Sequence, residues 1–291
     1  MAPKISVVMP THNAERFLAS AIESVLTQDY SDFEFIVVDD ASTDATPMIL
    51  QHYTNLDSRL RVLRNERNRG APYSRNRGIM VCSGEYVATF DSDDLCMPDR
   101  LSTQVRRMQE HDEVGVIGSS IFLIDEINRV IGFRRYPTDD QLLRRNMFKF
   151  SPFAAPSTMI RKTTLLNAGL YDEELGGVED IDLWFRIGRI AKFANCREVL
   201  LKYRLHAAST TFRGIRRMNA LTFKIRMRAM RDYGYPTSTS TIIQLFGIRL
   251  LTFFLPAGNQ VYLFEKVRER ILRQQDGCRV NDHSSYPEAQ T

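Results

Sequence analysis

The sequence predicts an α/β protein: a mostly parallel central sheet flanked by helices, with a helical extension at the C-terminal end. Two observations carry the prediction. Over the first 95 residues, short apolar runs that read as strands alternate with amphipathic stretches that read as helices. Two of those runs end in crowded carboxylates, and a parallel sheet gathers such strand ends on one edge, where ligands bind. The chain has 291 residues, 43% apolar and 25% charged, which suits one or two domains with a buried core. That composition excludes a disordered, collagen-like or coiled-coil chain.

Ile5–Met9 is a short apolar run, as in a strand buried on both faces. Phe17, Leu18, Ala21, Ile22, Val25 and Leu26 follow helical spacing, with Asn13 the expected N-cap. Phe33–Val38 reads as a strand ending in Asp39-Asp40. The helix after it has Pro47 in its first turn and Ser42, Thr43 or Asp44 as cap. Arg61–Arg64 is a short strand, Ala71–Cys82 a helix closed by Gly84, and Tyr86–Phe90 a strand running into Asp91-Ser92-Asp93-Asp94. Pro98–Glu110 is helical.

Beyond residue 112 the pattern loosens. Val114–Ser119, Ile121–Asp125 and Val130–Arg134 read as three strands, with Glu126–Arg129 a hairpin turn. Asp139–Met147 is a short helix, Ser157–Arg161 a strand, Gly176–Gly177 a flexible loop, Asp180–Ile190 a helix and Val199–Arg204 a strand. Helices are expected over Met218–Asp232 and Ile242–Arg273, and a disordered polar tail over 276–291. The expected domains are an α/β unit over 1–212, divided into 1–119 and 120–212, a basic amphipathic extension over 213–275, and that tail.

Charge is uneven. Residues 213–273 carry a net +9, residues 274–291 a net −2 and residues 1–212 a net −3. The most apolar stretch, Ile242–Leu255, is too short to span a bilayer, which needs roughly 20 mostly apolar residues. Four scattered cysteines (Cys82, Cys96, Cys196, Cys278) form neither a zinc spacing nor a disulfide framework. No secretion signal is legible. A cytoplasmic location is expected, with peripheral attachment to the inner face of the plasma membrane if the basic extension meets anionic lipid.

Several clusters carry chemistry. Asp91, Asp93 and Asp94 crowd at a strand end, and a hard cation, Mn²⁺ or Mg²⁺, relieves such repulsion while bridging to substrate phosphates. A solvated acidic turn is the competing reading. Asp40 has the same position one unit earlier and suits the N–H of a nucleotide base, although the acids there also cap helices. Asn68–Gly78 is glycine-punctuated and basic, and its arginines suit a diphosphate; an exposed helix face is the alternative. Neither a Walker A loop nor a dinucleotide fingerprint is present. Glu179-Asp180 after Gly176-Gly177 suits a general base reaching a bound hydroxyl, or acids complementing a helix dipole. His206 is a candidate ligand or base, or a structural histidine.

Taken in order, Ser6–Asn13, Ala21–Gln28, Ile36–Asp44, Ser74–Gly78, Gly84–Asp94, Glu179-Asp180 and Tyr203–His206 resemble family 2 glycosyltransferases over about residues 4–210. The resemblance implies a GT-A fold, a nucleotide-sugar donor and inversion at the anomeric carbon, with 1–212 as the catalytic domain, 1–119 its nucleotide-sugar half and 120–212 its acceptor half. It implies that Asp40 holds the base, usually uracil, so that a UDP-sugar is the expected donor. Pro10, Thr11 and Asn13 would line the nucleotide pocket with Arg75 near by. Asp91, Ser92 and Asp93 would form the DxD element on metal and donor, with Asp94 a further ligand and His206 completing the metal site. Asp180 would be the base, with Glu179 beside it. Ala41 replaces the usual glycine after the acid pair, a small change. The Gln-x-x-Arg-Trp motif of processive synthases is missing, since the only tryptophan is Trp184. Addition of a single sugar is therefore expected.

The acceptor implied is a glycan or lipid-linked glycan, as in surface polysaccharide assembly. Residues 213–273 interleave apolar and basic side chains, which suits an anionic membrane surface; packing on the catalytic unit remains the alternative. A sugar nucleotidyltransferase would show a glycine- and lysine-rich N-terminal loop, which Thr11–Glu15 lacks. A non-catalytic scaffold would not keep Asp40, Asp91, Asp93 and Asp180. Nucleic acid is not an expected partner, because the net basic charge is confined to the C-terminal fifth without interleaved stacking aromatics.

Overall fold

The computed structural model describes residues 4–206, 210–235 and 237–255. The first half runs β1 (Ile5–Thr11), α1 (Leu18–Leu26), β2 (Phe33–Asp39), α2 (Thr46–Leu56), β3 (Leu60–Arg64), α3 (Ala71–Met80) and β4 (Tyr86–Thr89). Then follow β5 (Leu95–Cys96), α4 (Arg100–Glu110), β6 (Val114–Ile124), β7 (Val130–Arg134), α5 (Asp140–Asn146), β8 (Met159–Arg161) and α6 (Lys162–Asn167). The described chain closes with α7 (Glu179–Ile187), β9 (Lys192–Arg204), α8 (Thr210–Asp232) and α9 (Thr239–Phe254).

The described strands form a nine-stranded sheet in the order β3-β2-β1-β4-β8-β6-β9-β5, with β7 paired to β6. β1, β2, β3, β4, β6 and β9 run one way, and β5, β7 and β8 run against them. Every residue of β1 and β2 is buried, so both faces of the sheet are covered. Period-two alternation sends Val7, Met9, Phe35 and Val37 into one core with α1 and α4. Val8, Ile36 and Val38 enter the other, with α3, α5, α7 and α8. Gly78 lets α3 lie close on the sheet, because a Cβ there would sit 2.7 Å from Val8 Cγ1. The stretch read as a glycine-punctuated basic segment is thus largely a helix packed on the sheet.

Several features differ from the sequence expectation. Residues 114–124 are one strand, because Ser119 and Ser120 are fully buried within β6 rather than breaking it; the expected boundary at 119 falls inside that strand. β9 starts at Lys192, seven residues earlier than expected, and β5 and α6 were not anticipated. Asn13 does not cap α1, which starts at Leu18. Asn13 instead adopts φ 49° and its Oδ1 accepts from the Thr43 amide at 2.8 Å, stitching the β1–α1 loop to the β2–α2 loop. Ala41 has φ 58°, a left-handed conformation that strains a residue with a Cβ, so the exchange of glycine for alanine there is not small.

α8 packs on the α/β fold. Its Ile225 and Ala229 are buried in the core that holds Trp184 and Phe185. Its Arg228 forms an ion pair with buried Asp182 of α7. Of the expected extension, α8 is thus packed on the rest of the described fold. The expected helix beyond residue 255 and the expected tail lie outside the described residues.

Candidate active site

The site lies beyond the carboxyl ends of β1, β2 and β4, where such sheets bind ligands. A cleft of about 380 Å³ brings Arg75, Asp91, Asp93, Glu179 and Asp180 together. Tyr136 and Ser151 line it from one side, and Met218, Asn219 and Thr222 of α8 from another.

Arg75 is the hub. It is buried, and its guanidinium reaches Asp91 Oδ1 at 2.7 Å and Glu179 Oε1 at 2.5 Å. Burial opposes its charge, but the two carboxylates outweigh it and raise its pKa. Arg75 therefore ties the acid at the end of β4 to the start of α7, across 104 residues of sequence.

The two acids of α7 have different surroundings. Glu179 is buried, with its carboxylate filled by Arg75 and by the Gly177 amide at 2.7 Å. Each of its two oxygens is engaged by one of these donors. Asp180 faces the cleft, and burial together with the neighbouring Glu179 charge pushes its pKa up to about 7. The backbone amides of Ile181 and Asp180 pull the other way and do not restore the ordinary value. A carboxylate poised near neutrality can both take a proton and release it.

The expected four-ligand metal set is not assembled. Among the described residues no three His, Cys, Asp or Glu side chains converge to hold a metal by themselves. Asp91 is turned to Arg75. Asp93 Oδ2 lies 2.8 Å from His206 Nε2, and the His206 ring packs on Phe17 at 5.3 Å. Asp94 turns inward, 1% exposed, and accepts the Arg204 amide at 2.8 Å. Burial and the charges of Asp93 and Asp91 raise its pKa well above the usual range. Asp94 Oδ1 thus anchors the end of β9, Asp94 is not among the residues lining the cleft, and its Oδ2 is buried with no hydrogen-bond partner among the described residues. The remaining donors fit a substrate-bridging ion: carboxylates with one imidazole suit Mn²⁺ or Mg²⁺, which take one or two carboxylates and complete their shell with phosphates and water.

The nucleotide-side residues cluster at the ends of β1 and β2 but do not line this cleft. The Asp40 carboxylate accepts from Asn65 Nδ2 at 2.6 Å, from the Arg69 amide at 2.9 Å and from the Gly70 amide at 2.7 Å. Three of about four acceptor positions are filled, so Asp40 chiefly pins the loop that opens α3, a departure from the open carboxylate its position implies. Pro10 and Thr11 end β1; Thr11 Oγ1 is buried with no hydrogen-bond partner among the described residues. Ser92 is partly exposed in the turn after β4.

Sequence reasoning missed Arg204, which donates Nε to the Asp93 carbonyl at 2.6 Å and so shapes the acidic turn. It also missed Asn65 and the wall made by α8. The one available signal was Asn219 and Thr222, uncharged polar residues three apart on a helix of apolar and basic side chains.

The model of the family described as glycosyl transferase family 2 matches residues 6–169, from β1 through α6. The chain belongs to that family. This glycosyltransferase is 34% identical over 213 residues to the O-antigen biosynthesis glycosyltransferase WbnJ of Escherichia coli, covering 71% of this chain and 81% of that one. Among solved structures it resembles S. aureus TarS 1-349 in complex with UDP-GlcNAc, with a TM-score of 0.62, 23% identity, and coverage of 85% and 71%. It also resembles the mannosyltransferase PcManGT of Pyrobaculum calidifontis in complex with GDP-Man and Mn²⁺, with a TM-score of 0.63, 16% identity, and coverage of 94% and 88%. The glycosyltransferase has the GT-A fold. No helix of its described residues is long and apolar enough to cross a membrane.

Proposed function

We propose that this glycosyltransferase moves one sugar, with inversion, from a nucleoside-diphosphate sugar to an acceptor hydroxyl, with Asp180 as general base. The observation that carries the reading is the carboxyl of Asp180, held near neutrality at the wall of a cleft it shares with Arg75, Asp91 and Asp93. Asp180 takes the hydroxyl proton as the acceptor oxygen attacks the anomeric carbon from the face opposite the nucleotide. Glu179 serves by position: it holds Arg75 and keeps the Asp180 proton affinity high. Arg75 holds Asp91 towards the donor and adds positive charge beside the departing diphosphate. Asp91, Asp93 and His206 would hold a divalent cation, which when bound neutralises charge on the diphosphate as a Lewis acid.

A UDP-sugar is the proposed donor. TarS was solved with UDP-GlcNAc and PcManGT with GDP-Man and Mn²⁺, which supports a nucleotide sugar and a divalent ion. The unpartnered Thr11 hydroxyl and the remaining acceptor position of Asp40 suit a base seated over the ends of β1 and β2. The proposed acceptor is a glycan carried on a lipid, with the enzyme working at the inner surface of the membrane. The relatives named for O-antigen and teichuronic acid biosynthesis support a place in surface polysaccharide assembly.

Product analysis with a panel of nucleotide sugars and Mn²⁺ tests the reading. Release of free nucleoside diphosphate and an inverted glycosidic bond is the expected result. Pyrophosphate as product would make the protein a nucleotidyltransferase instead, and retention of configuration would remove Asp180 as the base for direct displacement.

A further inference from the structure

A second cavity, of about 690 Å³, lies between α5, the end of α7 and the start of α9. Its lining is basic. Arg145, Lys149 and Arg189 contribute cations, and no acidic side chain lines it among the described residues. Arg144 also lines it, but its guanidinium is spent on Asp140, the Gly188 carbonyl and the Ala191 carbonyl at 2.7 Å. Arg145, Lys149 and Arg189 make no ion pair among the described residues. Arg189 stacks instead beside the Tyr233 ring, 5.5 Å from its centroid.

Hydroxyls line the same cavity. Ser238, Ser240 and Thr241 line the cavity, and Ser238 Oγ lies 2.7 Å from Ser240 Oγ and 3.0 Å from Thr241 Oγ1. Cations and hydroxyls lining one concave site, with no carboxylate among its described lining residues, match a phosphoryl group.

The helix that supplies the hydroxyls also carries an apolar stripe. Ile243, Phe246, Leu250 and Phe254 are each more than half exposed. Their spacing of three, four and four residues puts them on one face of α9. Ile190, next to Arg189, is 53% exposed as well. An exposed apolar stripe on the helix that also contributes to a phosphate-type cavity is what a lipid acyl region and its headgroup would meet.

We propose that this cavity binds the phosphate of an anionic phospholipid headgroup, while the α9 stripe enters the acyl boundary. The inference deepens the membrane-surface part of the proposed function and rests on it; it is independent of which donor or acceptor is used. It places membrane contact on the α5–α7–α9 side, separate from the catalytic cleft, which α8 walls.

The test uses the full chain and vesicles of phosphatidylglycerol or of phosphatidylcholine at low ionic strength. Wild-type protein should sediment with the anionic vesicles and stay in the supernatant with the zwitterionic ones. The double variant Arg145→Gln, Lys149→Gln should lose affinity roughly 30-fold, which is about 2 kcal/mol, near 1 kcal/mol for each surface cation. Its nucleotide–Mn²⁺ binding should be unchanged, which shows that it folds. Leu250→Ser should weaken vesicle binding while leaving titration with inorganic phosphate as in wild type. Equal sedimentation of wild type and the double variant would overturn the cavity assignment and leave the membrane-surface reading standing. Wild-type protein that ignores both vesicles would overturn both. Phosphate binding that is lost in the double variant, without vesicle binding by wild type, would make this a site for a soluble phosphate and overturn the lipid assignment.

Discussion

Replacing Asp180 by asparagine should make the protein more stable, and only above a defined pH. In the folded chain, burial and the Glu179 charge raise this carboxyl from 3.8 to about 7. Below pH 4 it is protonated in both folded and unfolded states, so it adds no penalty there. As pH rises, the unfolded chain ionises first, and the folded state loses stability until the folded group ionises too, near pH 7. A shift of three units at 1.36 kcal/mol each bounds the loss at about 4 kcal/mol. Asp180 keeps partial contact with solvent, and screening reduces the figure to roughly 2 kcal/mol. Asparagine has nearly the same shape and no charge, so Asp180→Asn escapes the penalty. At roughly 2–4 °C per kcal/mol for a domain of this class, its Tm should exceed wild type by about 4–8 °C at pH 8. The gap should close towards pH 4. Thermal unfolding of both proteins across pH 4.5–8.5 measures it. A Tm difference independent of pH, or a variant less stable than wild type at pH 8, would refute a strained carboxylate at this position.

Four further outcomes follow from the same geometry. Glu179→Gln removes the like charge beside Asp180, so the acidic limb of the kcat/KM profile should move below pH 7; a dead enzyme that still binds donor would make Glu179 the base. Asp93→Ala should abolish metal-dependent turnover, and chelation of wild type should mimic it; full activity of the variant would remove Asp93 from the metal site. Gly78→Ala forces a Cβ to 2.7 Å from Val8 Cγ1 and should cost about 1–3 kcal/mol in denaturant unfolding; an unchanged midpoint would refute the close packing. Ala41→Gly releases a left-handed alanine and should stabilise by about 1 kcal/mol in the same assay, whereas destabilisation would contradict the strain.

What could be read in the sequence followed from how local the signal was. β1 and β2 are buried on both faces, so each appears as a near-continuous apolar run. The first half of β9 alternates Lys192, Asn195, Arg197 and Glu198 with apolar residues and hides its strand among charges. Ser119 and Ser120 interrupt an apolar run yet lie wholly inside β6, a tertiary effect that propensity does not carry. Asp91, Asp93 and Asp180 were legible as acids at element ends, and the ordered motifs supplied the family. The partners were not. Arg75 meets Glu179 across 104 residues, and Arg204 shapes the Asp93 turn across 111. Asp40 looks like a free ligand until the fold turns both its oxygens onto backbone amides, and Asp94 until its Oδ1 takes the Arg204 amide.

The central claim is that Asp180 serves the chemical step and not donor binding. Calorimetric titration of the donor with Mn²⁺, alongside turnover, in wild type and Asp180→Asn separates the two. The account predicts donor affinity within about threefold of wild type and a fall in kcat of about 10²–10⁴, the usual contribution of a general base. Turnover of Asp180→Asn at the wild-type rate, or loss of donor binding in step with activity, would contradict it.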